Sequence, residues 1–289
     1  MQSSHDGLQT IAGGQDSQPR HPAVMARCPV CGGQAGPACR ALLSNHDERE
    51  IVTCSGCGTS CYWPVPDAAS VARAYPPHYM GGFTARYWPE YWKGRRYAAG
   101  LARFRPEGDY LDVGCGVGTM LAGIRDFSRW RPRGLEMSPL AVETGRTLHG
   151  ADMAPGDVFT AGGTPSSADW ILVNNVLEHV PDPKPFLARC ADLLRPGGRL
   201  HLLVPNGPVD LSPNLRWFSR GVVLKTKHAG HLYFFTARAL RLLIERSGLR
   251  ILSFTTFHIK AAFKAQGWTP GADERFRCEF TSRRVGAAS

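Results

Sequence analysis

No run of about 18 apolar residues occurs in the chain, so no membrane-spanning helix is expected. The opening stretch, MQSSHDGLQTIAGGQDSQPR, has no apolar core segment, which argues against a secretory leader and for the cytoplasm. Acidic residues are in the minority, 24 against 34 Lys and Arg, giving a formal net charge of +10. A basic surface can attract nucleic acid or anionic substrates. Yet no dense basic run accompanies the excess. The arginines are scattered, with pairs only at Arg95-Arg96 and Arg283-Arg284, and an Arg-, Ala- and Gly-rich composition is the better explanation of them. Hydrophobic residues make up 43% of 289, enough to fold one full α/β domain and a small module. Nothing in the composition points to a membrane partner or sets an oligomeric state.

Nine cysteines are present, and six fall within the first 61 residues. Two C-x-x-C-G knuckles stand out, Cys28 to Gly32 and Cys54 to Gly58, in the spacing C-x2-C-x22-C-x2-C. Each tight turn presents two thiolates, and two turns supply the four ligands of a tetrahedral structural zinc. Cys28, Cys31, Cys54 and Cys57 are therefore the expected metal ligands. A reducing compartment disfavours two disulfides, and a redox dithiol needs only one C-x-x-C. Cys39 and Cys61 lack knuckle spacing and read as spare buried thiols. The expected layout is a disordered tail over 1–24, a zinc ribbon over 25–63 with a short strand at Glu50 to Thr53, and a Pro- and aromatic-rich linker over 64–83.

The stretch YLDVGCGVG, Tyr110 to Gly118, has a different logic. Leu111 to Val113 read as the end of a buried strand, Gly114, Gly116 and Gly118 as a sharp turn, and Thr119 to Asp126 as a helix. Strand, glycine turn and helix form the nucleotide-holding unit of an open α/β sheet. A second acid, Glu136, ends the next strand, Arg133 to Met137. A nicotinamide dehydrogenase uses similar parts, but its G-x-G-x-x-G pattern wants glycine at the sixth position, where Thr119 stands when counted from Gly114. Further along, Asp169 to Val173 is a central strand, apolar on both faces, followed by Asn174-Asn175-Val176-Leu177-Glu178-His179-Val180-Pro181-Asp182-Pro183. A helix over Phe186 to Leu194, the turn Arg195 to Gly198 and a strand over Arg199 to Val204 come next. The helix Thr236 to Ser247 and strands Leu249 to Phe257 and Arg275 to Thr281 close the chain.

From about residue 84 to 256 these motifs resemble the class I S-adenosylmethionine-dependent methyltransferases. Asp112 to Gly118 is similar to the family's first motif, Glu136 to its ribose-binding acid, Leu177 to Pro183 to its fourth motif, and Leu194, Pro196 to Gly198 and Leu200 to a further hallmark. The resemblance implies a Rossmann-like, seven-stranded, mostly parallel sheet flanked by helices, with residues 84–289 as the methyltransferase domain. It implies S-adenosylmethionine contacts at Asp112, Gly114, Cys115, Gly116, Glu136, Met137, Asp157, Val158 and Asn174. Asp157 would receive the adenine amino group, or it is an ordinary loop aspartate. Relatives that bind a divalent cation carry an acid where Asn175 stands, so metal-assisted catalysis is not implied here. Tyr75 and Tyr79 resemble an aromatic segment that can lie over the cofactor pocket; gluing the ribbon to the domain is the equal alternative.

Methyl transfer from a sulfonium mainly needs alignment, and a base only where the nucleophile must lose a proton. His179, His228 and His231 are the candidates, because histidine titrates near neutrality. His179 is also well placed to hydrogen-bond a helix start. His228 and His231 fall in the insertion 208–231, and their H-x2-H spacing predicts no metal site because no further ligand lies nearby in sequence. The expected function is methylation of a small-molecule acceptor, at an oxygen of a secondary metabolite or glycan precursor. An RNA methyltransferase with a nucleic-acid-gripping ribbon is the alternative. The intact Asp112, glycines and Glu136 argue against a decayed, non-enzymatic pocket.

Overall fold

The computed structural model describes residues 26–42, 48–74, 87–208, 210–211, 224–225, 230–257 and 275–282. Tyr75, Tyr79 and His228 lie outside them.

The described residues open with β1 (Ala26–Arg27), β2 (Gln34–Leu42), β3 (Glu48–Cys54) and β4 (Ser60–Trp63). Helix α1 (Ala68–Ala74) follows, started by Asp67, whose carboxylate accepts the Ser70 N–H at 2.7 Å. Next comes α2 (Tyr87–Phe104). The α/β layer alternates β5 (Asp109–Val113), α3 (Thr119–Phe127), β6 (Arg131–Glu136), α4 (Pro139–His149), β7 (Met153–Pro155), β8 (Ala168–Asn174), α5 (Pro183–Leu193) and β9 (Leu194–Pro205). After the short β10 (Leu224–Lys225) and β11 (Tyr233–Phe234) come α6 (Ala237–Arg246), β12 (Leu249–Phe257) and β13 (Arg275–Ser282).

The large sheet has the order β12-β13-β9-β8-β5-β6-β7. Its β9-β8-β5-β6-β7 run is parallel, while β13 inserts antiparallel between β9 and β12. The winding direction reverses between β5 and β8. That reversal opens a crevice at the carboxyl ends of the strands, where such sheets hold ligands. Period-two alternation divides the core. Leu111, Val113, Ile171 and Val173 face one hydrophobic cluster, and Tyr110, Trp170 and Leu172 face the other. At the opposite, amino-terminal edge, Asp169 takes Arg105 at 2.5 Å and Arg195 at 2.7 Å, and Asp109 takes Arg131 at 2.7 Å and Arg195 at 2.6 Å. The charges there pair with one another and serve the fold.

Helix α2 carries Pro89 in its first turn, where a residue has no intrahelical use for its N–H. One local expectation changes. The strand expected from Arg199 begins at Leu194, with the Pro-Gly-Gly segment carried as its irregular start, and Gly197 at φ 76°. The cysteine sheet is also larger than a self-contained ribbon. β11 pairs antiparallel with β4, setting Tyr233 opposite Cys61 and Phe234 opposite Ser60. Ile51 and Tyr62 share one continuous core cluster with Leu240, Leu243 and the main-sheet strands.

Helices α2 and α3 meet at a pair of glycines. A Cβ on Gly123 would strike the Tyr91 carbonyl, and one on Gly94 would strike the Met120 carbonyl. Backbone stands on backbone there, so no rotamer change can relieve an added methyl. Gly123→Ala is expected to cost about 1–3 kcal/mol of stability, the range for overpacking a tight contact. Urea unfolding measures it; an unchanged midpoint would show that the helices can separate freely.

Candidate functional site

After Val113 the chain turns through Gly114, Gly116 and Gly118, all left-handed with φ of 76°, 59° and 67°. A Cβ at Gly114 would also strike the Val176 side chain, so conformation and space both demand glycine. The Gly114 and Cys115 amides donate to the Leu135 carbonyl at 2.8 and 3.1 Å, fixing the turn against β6. Glu136 ends β6. Its Oε2 accepts the Gly116 N–H and its Oε1 the Ser138 N–H, each at 3.0 Å. One carboxylate thus joins the glycine turn to the start of α4, where Ser138 is the cap and Pro139 the first residue. Burial pushes Glu136 above the ordinary carboxylate range, and the Ser138, Gly116 and Met137 amides pull it back. Asp112 is only 4% exposed. Burial pushes its carboxyl up to about 7; Lys93 opposes this, and Glu136 and Glu90 add to it. Cys115 is raised by burial and Met137 lies exposed beside the edge.

The remaining cofactor candidates gather at the same edge. Asp157 follows β7, and its Oδ1 accepts the Phe159 and Thr160 amides and the Thr160 hydroxyl, each at 2.9 Å. It organises its own loop whatever else it contacts. Val158 is fully buried, and Asn174 is the last residue of β8. Asn175 then adopts φ 55°, a left-handed conformation that asparagine tolerates better than most residues. Its N–H donates to the Leu203 carbonyl at 2.9 Å, and a 3-10 turn over Leu177–His179 follows.

Sequence separation hid the next feature. Leu232 donates its N–H to the Glu178 carbonyl at 2.7 Å, which brings His231 beside His179, ring centroids 4.9 Å apart. The His179 Nδ1 bonds the Gly230 carbonyl at 2.6 Å and the His231 Nδ1 bonds the Asp210 carboxylate at 2.8 Å. Both Nε2 atoms face the buried Glu178, at 3.9 and 4.0 Å from its Oε1. No further ligand was expected near the H-x2-H pair in sequence; His228 lies outside the described residues, and Glu178 and His179 reach His231 from a distant part of the chain. Burial, with His231 next in weight, pushes His179 down to about 4, well below the neutral titration expected of it. Asp210 had no sequence signal; the tandem Asn174-Asn175 after an apolar strand was the visible sign of an unusual turn.

At the cysteine sheet, the Cys28 and Cys57 sulfurs lie 3.6 Å apart and those of Cys31 and Cys54 3.4 Å apart. All four sulfurs fall within 4.8 Å of one another. A disulfide needs about 2 Å, whereas tetrahedral zinc with bonds of about 2.3 Å sets its sulfurs about 3.8 Å apart. The Gly33 N–H donates to Cys31 Sγ at 3.4 Å and the Cys57 N–H to Cys54 Sγ at 3.5 Å, as thiolate ligands require. The contact between the Cys28 and Cys57 sulfurs, in which either can donate, lowers the Cys57 thiol to about 4 and raises Cys28. Such crowding tolerates several thiolates only around a cation. Cys61 is buried and pushed up to about 12, chiefly by that burial. The centre is wired to α6: Thr236 donates its hydroxyl to the Cys57 carbonyl at 2.7 Å while capping the helix.

Residues 86–254, more than half of the chain, match the profile of a family described as methyltransferase domain. An uncharacterised 37.1 kDa protein in transposon TN4556 of Streptomyces fradiae is 35% identical over 108 residues, 35% of this chain and 31% of that protein. The ubiquinone biosynthesis O-methyltransferase of Xanthomonas euvesicatoria pv. vesicatoria is 32% identical over 103 residues, 33% of this chain and 42% of that enzyme. The chain thus spans less than half the length of these curated relatives. Among solved structures, a chain from the complex between the Haloferax volcanii Trm112 methyltransferase activator and a candidate methyltransferase superposes with a TM-score of 0.52. It shares 19% identity, and the match covers 74% of this chain and 97% of that one. That likeness concerns the fold. No described helix is long and apolar enough to cross a membrane.

Because β11 is both the last strand of the cysteine sheet and the continuation of the His231 segment, the two should loosen together. Cys57→Ser is expected to raise amide hydrogen exchange over 230–236 as well as over 26–63. Unfolding of 26–63 with 230–236 still protected would show two independent units.

Proposed function

Since the match over residues 86–254 places this chain in the methyltransferase domain family, we propose that it transfers the methyl group of S-adenosylmethionine to a small-molecule acceptor, at an oxygen of a secondary metabolite or glycan precursor. The observation that carries the reading is Glu136, a half-buried carboxylate at the carboxyl end of β6 that bridges the glycine turn and α4. S-adenosylmethionine supplies a methyl already activated on a sulfonium. Glu136 would hold the ribose hydroxyls, since its two oxygens keep lone pairs beyond those given to Gly116 and Ser138. Gly114, Cys115 and Gly116 would line the approach, and Asp112 would face the positive end of the donor. Met137, Asp157, Val158 and Asn174 complete the same edge.

The acceptor side is the Glu178–His179–His231 cluster, and His228 joins the candidates from the same insertion. His179 and His231 bond Gly230 and Asp210 through Nδ1, which turns Nε2 toward the acceptor side. We assign a structural zinc to Cys28, Cys31, Cys54 and Cys57, in a cytoplasmic setting where thiolates persist. RNA as acceptor is the second reading. The exposed Trp88 and Trp92, with Arg95 stacked over Trp92 and Phe127, would give it a stacking surface.

Glu136→Ala is expected to weaken S-adenosylmethionine by about 1.5–3 kcal/mol, or about 10- to 150-fold. Calorimetry with unchanged affinity would remove Glu136 from the site.

Asp112 yields a pH signature. Its folded pKa is raised above the unfolded value of about 3.9, so the apo protein takes up protons on folding. Its stability contribution is present at low pH and lost as pH rises through about 7. A cationic donor favours the carboxylate, so affinity should rise between about pH 6 and 8, with protons released on binding. Calorimetry in buffers of different ionisation enthalpy counts those protons; proton uptake, or none at pH 7, would place Asp112 away from the donor's charge.

A further inference from the structure

Glu178 carries its carboxylate at 1% exposure, and two imidazoles turn the same nitrogen toward it. The Gly230 carbonyl can only accept, so His179 Nδ1 donates to it. The Asp210 carboxylate likewise receives the proton of His231 Nδ1. In each neutral ring the lone pair therefore sits on Nε2. The two Nε2 atoms lie 3.9 and 4.0 Å from Glu178 Oε1, too long for hydrogen bonds. One ligand atom from each of the three residues lies within 4.8 Å of the other two. That is a ring of ligand atoms around a common point. Adjacent ligands of a bound ion stand about 3.0–3.4 Å apart, given bonds of about 2.0–2.1 Å. Closing this ring onto an ion needs shifts of well under about 1 Å.

We propose that Glu178, His179 and His231 hold a divalent transition-metal ion at the acceptor side. The set differs from the acidic position implied by family resemblance, where this chain has Asn175. The third ligand comes instead from His231, delivered by β11 and the Leu232 N–H on the Glu178 carbonyl. Two imidazoles and a carboxylate select zinc, manganese, iron(II) or cobalt(II) over magnesium or calcium. Gly230 and Asp210 are the outer partners that fix the rings, as metal-binding histidines require. Three protein ligands leave positions open, for water or for oxygen atoms of the acceptor. His179 and His231 then act as ligands, and acidifying a bound acceptor oxygen falls to the ion. The ligand set stands whether or not the methyl-donor reading holds.

The test is manganese(II) titrated into the full chain with its cysteine centre loaded, free ion being read by electron paramagnetic resonance. One manganese per chain is expected. Affinity should fall more than about 10-fold in Glu178→Gln and His231→Gln, and about 10- to 100-fold in Asp210→Asn. Circular dichroism reports the fold of each variant, and S-adenosylmethionine calorimetry separately tests the donor reading. No binding to the wild type at millimolar manganese, or wild-type affinity in a folded His231→Gln, overturns the proposal. Pulsed resonance on the wild-type complex needs no variant: coupling to two imidazole nitrogens supports the site, and none overturns it.

Discussion

The carboxyl edge is built on one reversal of the backbone. Between Val113 and Thr119 the chain leaves a buried strand and enters a buried helix through three left-handed glycines. No side-chain residue could follow that path beside Val176. The turn holds because its amides are spent on Leu135 and on Glu136, at the end of the neighbouring strand. Glu136 is thus a strut as well as a carboxylate at the crevice. Its burial costs free energy as a charge, and three backbone amides offset that cost. A site assembled this way is stiff before any ligand arrives, which limits the ordering that binding must supply.

The second organising contact is the pairing of β4 with β11. A cysteine module of this size cannot bury a core of its own, so a metal would supply its folding energy. Here the module also shares the core of the main sheet, through Tyr62, Tyr233 and α6. Thr236 caps α6 and reaches the Cys57 carbonyl with the same hydroxyl. The cysteine centre therefore braces the segment carrying His231, and its role extends beyond stapling the N-terminal strands.

Much of this was legible in the sequence where geometry is local. Three glycines between a β run and a helical run encode the turn, and C-x-x-C encodes a knuckle, because a few consecutive dihedrals decide both. Glu136 was visible from the strand period. His231 meeting Glu178 was not, since the contact depends on where an insertion returns to the sheet. The antiparallel entry of β13 between β9 and β12 was equally hidden, as strand order is set by long-range pairing.

The central claim is that the crevice between the Gly114–Gly118 turn and Asn174 is the donor site, organised by Glu136. A crystal structure of the full chain grown with S-adenosylhomocysteine tests it most directly. The expected result is the ribose hydroxyls on the Glu136 carboxylate, with the nucleoside lying along the ends of β5 and β6. Ligand bound elsewhere, with Glu136 holding only Gly116 and Ser138, would contradict it.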